Sequence, residues 1–136
     1  MTQRKADTGL DFETLRWGME RRDPDLVLGF YAEDARLSIA NAAAPQASPF
    51  ELRGKAEIAK HLRAVFGQGA SHRVELEEVG EEDGVRFREV CEYPDGSRVM
   101  VKTTLEMRRG KIFRQVDVVA EISQSPPGRK FALGRA

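Results

Sequence analysis

Four segments in the second half of the chain alternate apolar and polar residues, and their arrangement restricts the fold more than any other feature. These segments lie at roughly 72–79, 84–93, 97–108 and 111–122. The residues between them have the composition of tight turns: Glu81-Glu82-Asp83-Gly84, Pro94-Asp95-Gly96 and Arg109-Gly110. Alternation with period two indicates strands that bury one face, and short turns join antiparallel neighbours. We therefore predict an antiparallel meander with one buried face.

Helical patterns in the first part of the chain can cover that face. Apolar residues recur at helical spacing between Phe12 and Met19. A second helix is indicated by Asp23-Pro24, a cap followed by proline at the first helical position. Its predicted apolar face continues through Phe30 and Tyr31. Two short helices are therefore predicted before the first strand.

A third helix is predicted from about Lys55, with an apolar stripe that stops before Gly67. Before it, residues 35–40 alternate as a short strand, and residues 41–49 form a loop rich in Ala, Pro and Ser of the kind that often rims a site. Helices that come first and cover one face of a meander define an α+β fold.

Length and composition limit the number of domains and the class of partner. A chain of 136 residues is long enough for one core, and we predict one domain at 10–122 between flexible tails at 1–9 and 123–136. The 22 basic residues are balanced by 22 acidic residues, which argues against nucleic acid or an anionic membrane as a partner. The single cysteine and the lack of an apolar leader or membrane span favour a cytoplasmic location.

Three segments resemble one known family: Asp25–Ala35 (DLVLGFYAEDA), Leu52–Ala59 (LRGKAEIA) and Gly110–Asp117 (GKIFRQVD). In this order and spacing they resemble the SnoaL-like branch of the nuclear transport factor 2-like superfamily, over residues 10–122. The resemblance implies a cone-shaped α+β barrel in which three N-terminal helices pack on a curved antiparallel sheet around an apolar pocket. The superfamily includes ketosteroid isomerases, polyketide cyclases, limonene epoxide hydrolase and non-catalytic binding modules, so the fold does not choose among these functions.

The catalytic positions of the family are only partly retained. Asp117 matches the catalytic aspartate that SnoaL-type cyclases and limonene epoxide hydrolase carry in the last segment. The arginine and aspartate of the epoxide hydrolase fall on Glu89 and Cys91, and its tyrosine and asparagine fall on Leu37 and Ile39. The ketosteroid isomerase base also falls near Ile39. The resemblance therefore disfavours both of these known mechanisms and singles out Asp117.

The strand at 85–93 carries a carboxylate on an apolar face. Glu89 shares its side of the strand with Val85, Phe87, Cys91 and Tyr93. We predict that this side faces the pocket, and the family register turns Asp117 toward the same pocket. Two carboxyl groups in a dry site can share a proton near neutral pH. Such a pair suits acid–base catalysis on a small apolar carbonyl compound, without a cofactor or a metal.

An alternative reading of the same residues stays open. Either carboxylate can instead pair with Arg16, His61 or a backbone amide, or lie exposed to solvent. In that case the protein is a non-catalytic ligand-binding or dimerisation module of the same fold.

Six side chains are candidates for ligand contacts: Trp17, Tyr31, His61, Phe87, Cys91 and Gln115. Trp17 lies off the apolar stripe of the first helix and is predicted to wall or cover the pocket, whereas His61 is predicted near its mouth. His72 follows a glycine loop and is predicted to face solvent. Two histidines so far apart form no metal-binding motif, so no metal is predicted.

The opposite face of the predicted sheet is mixed in character. Its members include Val90, Lys102, Thr104, Val116 and Val118. A monomer has no need to expose the apolar members of this set, so we predict a homodimer that forms through the outer sheet face.

Overall fold

A computed structural model describes residues 10–79 and 84–123 of the chain. The predicted tail at 1–9, residues 80–83 around the first predicted turn and residues 124–136 of the tail predicted at 123–136 lie outside the described residues. Ser123, the first residue of that predicted tail, is instead the last residue of a strand. The described part has three helices: α1 (Phe12–Glu20), α2 (Pro24–Leu28) and α3 (Lys55–Phe66). It has six strands: β1 (Tyr31–Asn41), β2 (Phe50–Arg53), β3 (Ser71–Val79), β4 (Gly84–Glu92), β5 (Arg98–Arg108) and β6 (Lys111–Ser123). None of these described helices has the length and hydropathy that crossing a lipid bilayer requires.

Both N-terminal helices begin at aspartate caps. The Asp11 carboxylate accepts a hydrogen bond from the backbone N–H of Thr14, at 3.2 Å. The Asp23 carboxylate accepts one from the backbone N–H of Leu26, also at 3.2 Å, and Pro24 occupies the first helical turn as predicted. Each cap satisfies a backbone donor that the helix itself leaves unpaired.

The second helix is shorter than predicted. It ends at Leu28, and Tyr31 is the first residue of β1 rather than part of the helical face. The backbone N–H of Ile112 in β6 donates to the carbonyl of Phe30 at 2.8 Å, so this segment is held by the sheet. The apolar spacing at Phe30 and Tyr31 was compatible with a helix or a strand, and pairing with β6 selects the strand.

The sheet has the strand order β2-β1-β6-β5-β4-β3. Strands β3 to β6 form the predicted antiparallel meander. The prediction of a wholly antiparallel sheet is wrong, because β1 pairs with β6 in parallel. The prediction of three N-terminal helices also needs correction, since α3 follows β1 and β2 along the chain. A parallel pair requires a long crossover, and the chain from β2 to β5 supplies it.

The core lies between the helices and one face of the sheet. Its most buried members come from every layer, and they include Leu15, Val27, Leu37, Ile58, Phe87, Leu105 and Ile112. Inward and outward residues alternate along β5, where Thr103, Leu105 and Met107 are buried and Lys102, Thr104 and Glu106 are exposed. One face of the sheet is therefore packed under the helices. The inward-facing side chains of β4, β5 and β6 project into the space between that face and the helices.

Candidate functional site

A cavity of about 260 Å³ lies between α3 and the inner face of the sheet. Most of its wall is apolar, with Leu62, Val65 and Phe66 from α3 and Leu37, Ile39, Val99, Val101 and Val119 from the strands. Its volume is close to the lower end of the roughly 300–1,000 Å³ that small-molecule sites occupy. The space is therefore suited to a compact, mostly apolar molecule.

Asp117 supplies a carboxyl group to this cavity from the inner face of β6. Its Oδ1 accepts hydrogen bonds from the Thr103 hydroxyl and from the Gln115 amide nitrogen, each at 2.9 Å. Burial raises the pKa of Asp117 to about 7, the two hydrogen bonds oppose the rise, and the nearby Glu89 charge adds to it. At neutral pH the Asp117 carboxyl therefore exists in both its protonated and its ionised form.

A chain of hydrogen bonds connects Tyr31 to this carboxylate. The Tyr31 hydroxyl donates to Oε1 of Gln115 at 2.5 Å, and the amide nitrogen of Gln115 donates to Asp117. Burial raises the pKa of Tyr31, and the charges of Asp117 and Glu89 raise it further, so the hydroxyl keeps its proton. The amide of Gln115 is held at both ends, which fixes the position of the Asp117 oxygen that accepts from it.

A second polar cluster occupies the ends of β3 and β4. Nδ1 of His72 lies 2.5 Å from Oε2 of Glu89 and 3.4 Å from Sγ of Cys91. All three residues are buried and line the cavity. The pairing of β3 with β4 brings them together, since His72 lies opposite Cys91 and its neighbour Val74 lies opposite Glu89.

The prediction that His72 faces solvent is wrong. Its exposed fraction is 7%, and its ring packs edge-to-face against Phe66, with 5.4 Å between the ring centroids. Sequence reasoning missed a usable signal, because His72 shares its side of β3 with Val74, which is fully buried. The contribution of Thr103 was missed as well, although it alternates with Leu105 on the buried side of β5.

The structure brings together most of the side chains proposed from the sequence. Those that line the cavity are Tyr31, His61, Glu89, Cys91, Gln115 and Asp117. His61 is half-buried on α3, and burial lowers its pKa, so its imidazole is neutral at neutral pH. Burial raises the pKa of the Cys91 thiol, and the charges of Glu89 and Asp117 raise it further, so the thiol is protonated.

Two of the proposed ligand contacts lie elsewhere. Trp17 is 54% exposed, and the guanidinium of Arg21 stacks over its ring at 4.6 Å. Trp17 falls on the side of α1 opposite the buried stripe, so it does not wall the pocket. Phe87 is only 2% exposed and contacts the ring of Phe12, with 5.5 Å between centroids. Phe87 is a core residue beside the cavity rather than part of its wall.

In the described part of the chain, three helices on a six-stranded curved sheet form the fold of the nuclear transport factor 2-like class. The chain belongs to the family of the SnoaL-like domain, whose model matches residues 13–115. A sequence comparison with curated proteins finds no significant match.

Solved structures show the same fold at low sequence identity. An NTF2-like protein of unknown function from Burkholderia xenovorans is 16% identical, with a TM-score of 0.68 over 92% of this chain and 89% of that chain. A candidate ketosteroid isomerase from Kribbella flavida is 18% identical, with a TM-score of 0.64 over 98% of this chain and 90% of that one. A LEH-like epoxide hydrolase from M. tuberculosis is 18% identical, with a TM-score of 0.59 over 85% and 82%. At these identities the likeness extends to the fold alone.

Proposed function

We propose that the protein is an enzyme that performs acid–base catalysis on a small, mostly apolar carbonyl compound, with Asp117 as the principal acid or base and Glu89 as its partner. The observation that carries the proposal is the Asp117 carboxyl group, which lines an apolar cavity and has a pKa of about 7. A group with a pKa near the working pH is available in both protonation states, which is the condition for efficient proton transfer.

The ionised Asp117 is suited to remove a proton from a carbon next to a carbonyl group, and the protonated form is suited to return one. Negative charge then develops on the carbonyl oxygen of the substrate. In this proposal the Glu89 carboxyl group, which its hydrogen bond with His72 holds in the cavity wall, is the partner that interacts with that oxygen. Removal and return of a proton at different carbons is an isomerisation, and the same enolate can also lead to a cyclase or lyase reaction.

Hydrogen–deuterium exchange tests the proposal without knowledge of the natural substrate. The protein is incubated in deuterated water with a panel of small cyclic ketones, and loss of the α-hydrogen signal is followed by NMR. We expect exchange above the background rate, and we expect Asp117→Asn to slow it by about 10²–10⁴-fold. The exposed Asp34 provides the matched control, because Asp34→Asn leaves the cavity intact. Equal exchange rates for Asp117→Asn and the unchanged protein would contradict the proposed role.

A non-catalytic ligand-binding module is the second candidate function. It is favoured by the apolar residues Leu37 and Ile39 in the cavity wall, at positions where the epoxide hydrolases carry polar groups. Such a module binds the ketone panel, as measured by chemical-shift changes of cavity residues, but accelerates no exchange. The same experiment therefore separates the two candidates.

We also propose that the protein is a homodimer, in which a second copy of the chain binds to the outer face of the sheet. Val116 and Val118 are 38% and 37% exposed there, and their partners on β5 are Thr104 and Lys102. Val90, which was expected in this exposed set, is buried and does not contribute apolar surface. On the outer face of the sheet, β5 and β6 thus offer a small apolar centre with a polar rim. This pattern is typical of protein interfaces.

A further inference from the structure

The cluster of His72, Glu89 and Cys91 contains a thiol group that the proposed acid–base catalysis does not use. It offers a ring nitrogen, a carboxylate oxygen and a sulfur, and these atoms all lie within 4.8 Å of one another. All three side chains are buried, and all three line the cavity. Three donors of different type that converge at one point are a feature of metal sites.

The charge of the cavity also favours a cation. Its lining contains the carboxyl groups of Glu89 and Asp117 but no lysine or arginine. Among the described residues, the hydrogen-bonding partner of Glu89 is His72. His72 compensates the charge of Glu89 only when its ring is protonated, whereas a bound cation compensates it with a neutral ring as well.

We infer that His72, Glu89 and Cys91 bind a divalent transition-metal ion of the zinc type, through Nδ1, Oε2 and Sγ, with a fourth position open to the cavity. A mixed nitrogen, oxygen and sulfur set matches the preference of zinc, whereas magnesium and calcium prefer oxygen alone. The inference goes beyond the proposed acid–base function and does not depend on it. A bound ion replaces the hydrogen bond between His72 and Glu89, so the role proposed for Glu89 in catalysis belongs to the metal-free protein.

The observed distances require only small adjustments. Bonds of about 2.0–2.1 Å to nitrogen and about 2.3 Å to sulfur separate the two donors by about 3.5 Å in a tetrahedral site. The separation between Nδ1 of His72 and Sγ of Cys91 is 3.4 Å. The Glu89 oxygen lies 2.5 Å from the same nitrogen, so it has to withdraw by about 1 Å to make room for the ion.

Metal binding requires particular protonation states of the His72 imidazole and the Cys91 sulfur. A metal on Nδ1 requires the imidazole proton to be on Nε2, which is buried and has no hydrogen-bonding partner among the described residues. Binding must therefore displace the hydrogen bond between Nδ1 and Glu89 and leave the Nε2 proton unpaired. The sulfur of Cys91 binds as a thiolate, so the thiol proton passes to solvent as the sulfur–metal bond forms.

Cobalt(II) is a suitable probe because its absorption reports on its ligands. Tag-free protein is titrated with Co²⁺, and we expect a thiolate-to-cobalt charge-transfer band in the near ultraviolet with visible bands typical of four ligands. The chain has one cysteine, so any such band comes from Cys91. Added Zn²⁺ is expected to abolish the bands by displacing cobalt. A folded protein that gives no charge-transfer band overturns the inference.

The two histidines of the chain provide a matched pair of variants. His72→Gln is expected to weaken cobalt affinity at least tenfold, whereas His61→Gln, which changes a cavity residue outside the cluster, retains it. Cys91→Ser is expected to lose the charge-transfer band. Equal affinities for the two histidine variants overturn the inference.

X-ray absorption of the zinc-loaded protein provides a test that needs no variant. One sulfur and a remainder of nitrogen and oxygen ligands are expected, and a shell without sulfur overturns the inference. Metal binding and ketone exchange are measured independently, so failure of one is distinguishable from failure of the other.

Discussion

At the residue scale, opposing interactions determine the pKa of Asp117. Burial in the apolar cavity favours the neutral carboxyl group, and the hydrogen bonds from Thr103 and Gln115 favour the ionised one. Gln115 is itself held by Tyr31, so the donors around the carboxylate are pre-oriented. Burial is the largest influence, and the pKa of Asp117 therefore rises to a value at which proton transfer in either direction is feasible.

The raised pKa of Asp117 predicts a specific dependence of stability on pH. The pKa is about 7 in the folded protein against an ordinary value of 3.8. Between these values the folded state holds a proton that the unfolded state releases. The free energy of unfolding contributed by this group therefore falls as pH rises, by on the order of 1 kcal/mol per pH unit in this window.

Asp117→Asn removes this contribution, because asparagine does not titrate. We expect the free energy of unfolding of the variant, relative to the unchanged protein, to increase from about pH 4 to about pH 7 and then to level off. Urea unfolding of both proteins at several pH values measures the difference, with Asp34→Asn as control. A difference that does not change with pH would contradict the raised pKa.

At the element scale, the short helix α2 depends on its cap more than on its length. It has five residues, fewer than an isolated helix needs, and it contributes Val27 and Leu28 to the core. Its N-terminus is set by the Asp23 side chain and by Pro24, and its C-terminus directs the chain into β1. The position of Tyr31 in the cavity wall therefore depends on where α2 ends.

Asp23→Ala tests the contribution of this cap. The substitution removes the acceptor for the backbone N–H of Leu26, and we expect the free energy of unfolding to fall by about 1 kcal/mol. Asp23→Asn serves as the control, because asparagine is an equally good cap and should retain most of the stability. Urea unfolding at one pH provides the comparison. Equal losses for alanine and asparagine would mean that the cap bond is not the cause.

At the scale of the whole molecule, the two faces of the sheet have different roles. The inner face packs under the helices and holds the cavity, while the outer face presents Val116 and Val118 between polar neighbours. The period of two along β6 turns Gln115 and Asp117 inward and these two valines outward. One strand therefore contributes to both the candidate site and the proposed dimer surface.

Charge introduced on the outer face tests the proposed dimer. We expect the unchanged protein to have the mass of a dimer by light scattering, and we expect Val116→Glu with Val118→Glu to shift it to the mass of a monomer, since buried unpaired carboxylates oppose association. Leu76→Glu is the control, because Leu76 is 45% exposed but lies on β3 at the far edge of the sheet. A monomeric unchanged protein would contradict the proposal.

Local patterns in the sequence predicted what local interactions decide. The meander β3–β6 follows from period-two alternation and turn composition, and the limits of α3 follow from its apolar stripe and Gly67. The family followed from three short segments, and the model match over residues 13–115 confirms it. The inward side of β4, with Glu89 and Cys91, was also evident from alternation within one strand.

Contacts between distant segments were decided only by the tertiary structure. The parallel pairing of β1 with β6 joins residues about eighty positions apart, and no turn or spacing encodes it. The burial of His72 and its contacts with Glu89 and Cys91 depend on the register of β3 against β4. The hydrogen bond from Tyr31 to Gln115 depends on the early end of α2. Side-chain period sets which face a residue occupies, but strand register and helix ends set its neighbours, and the chemistry of the cavity depends on those neighbours.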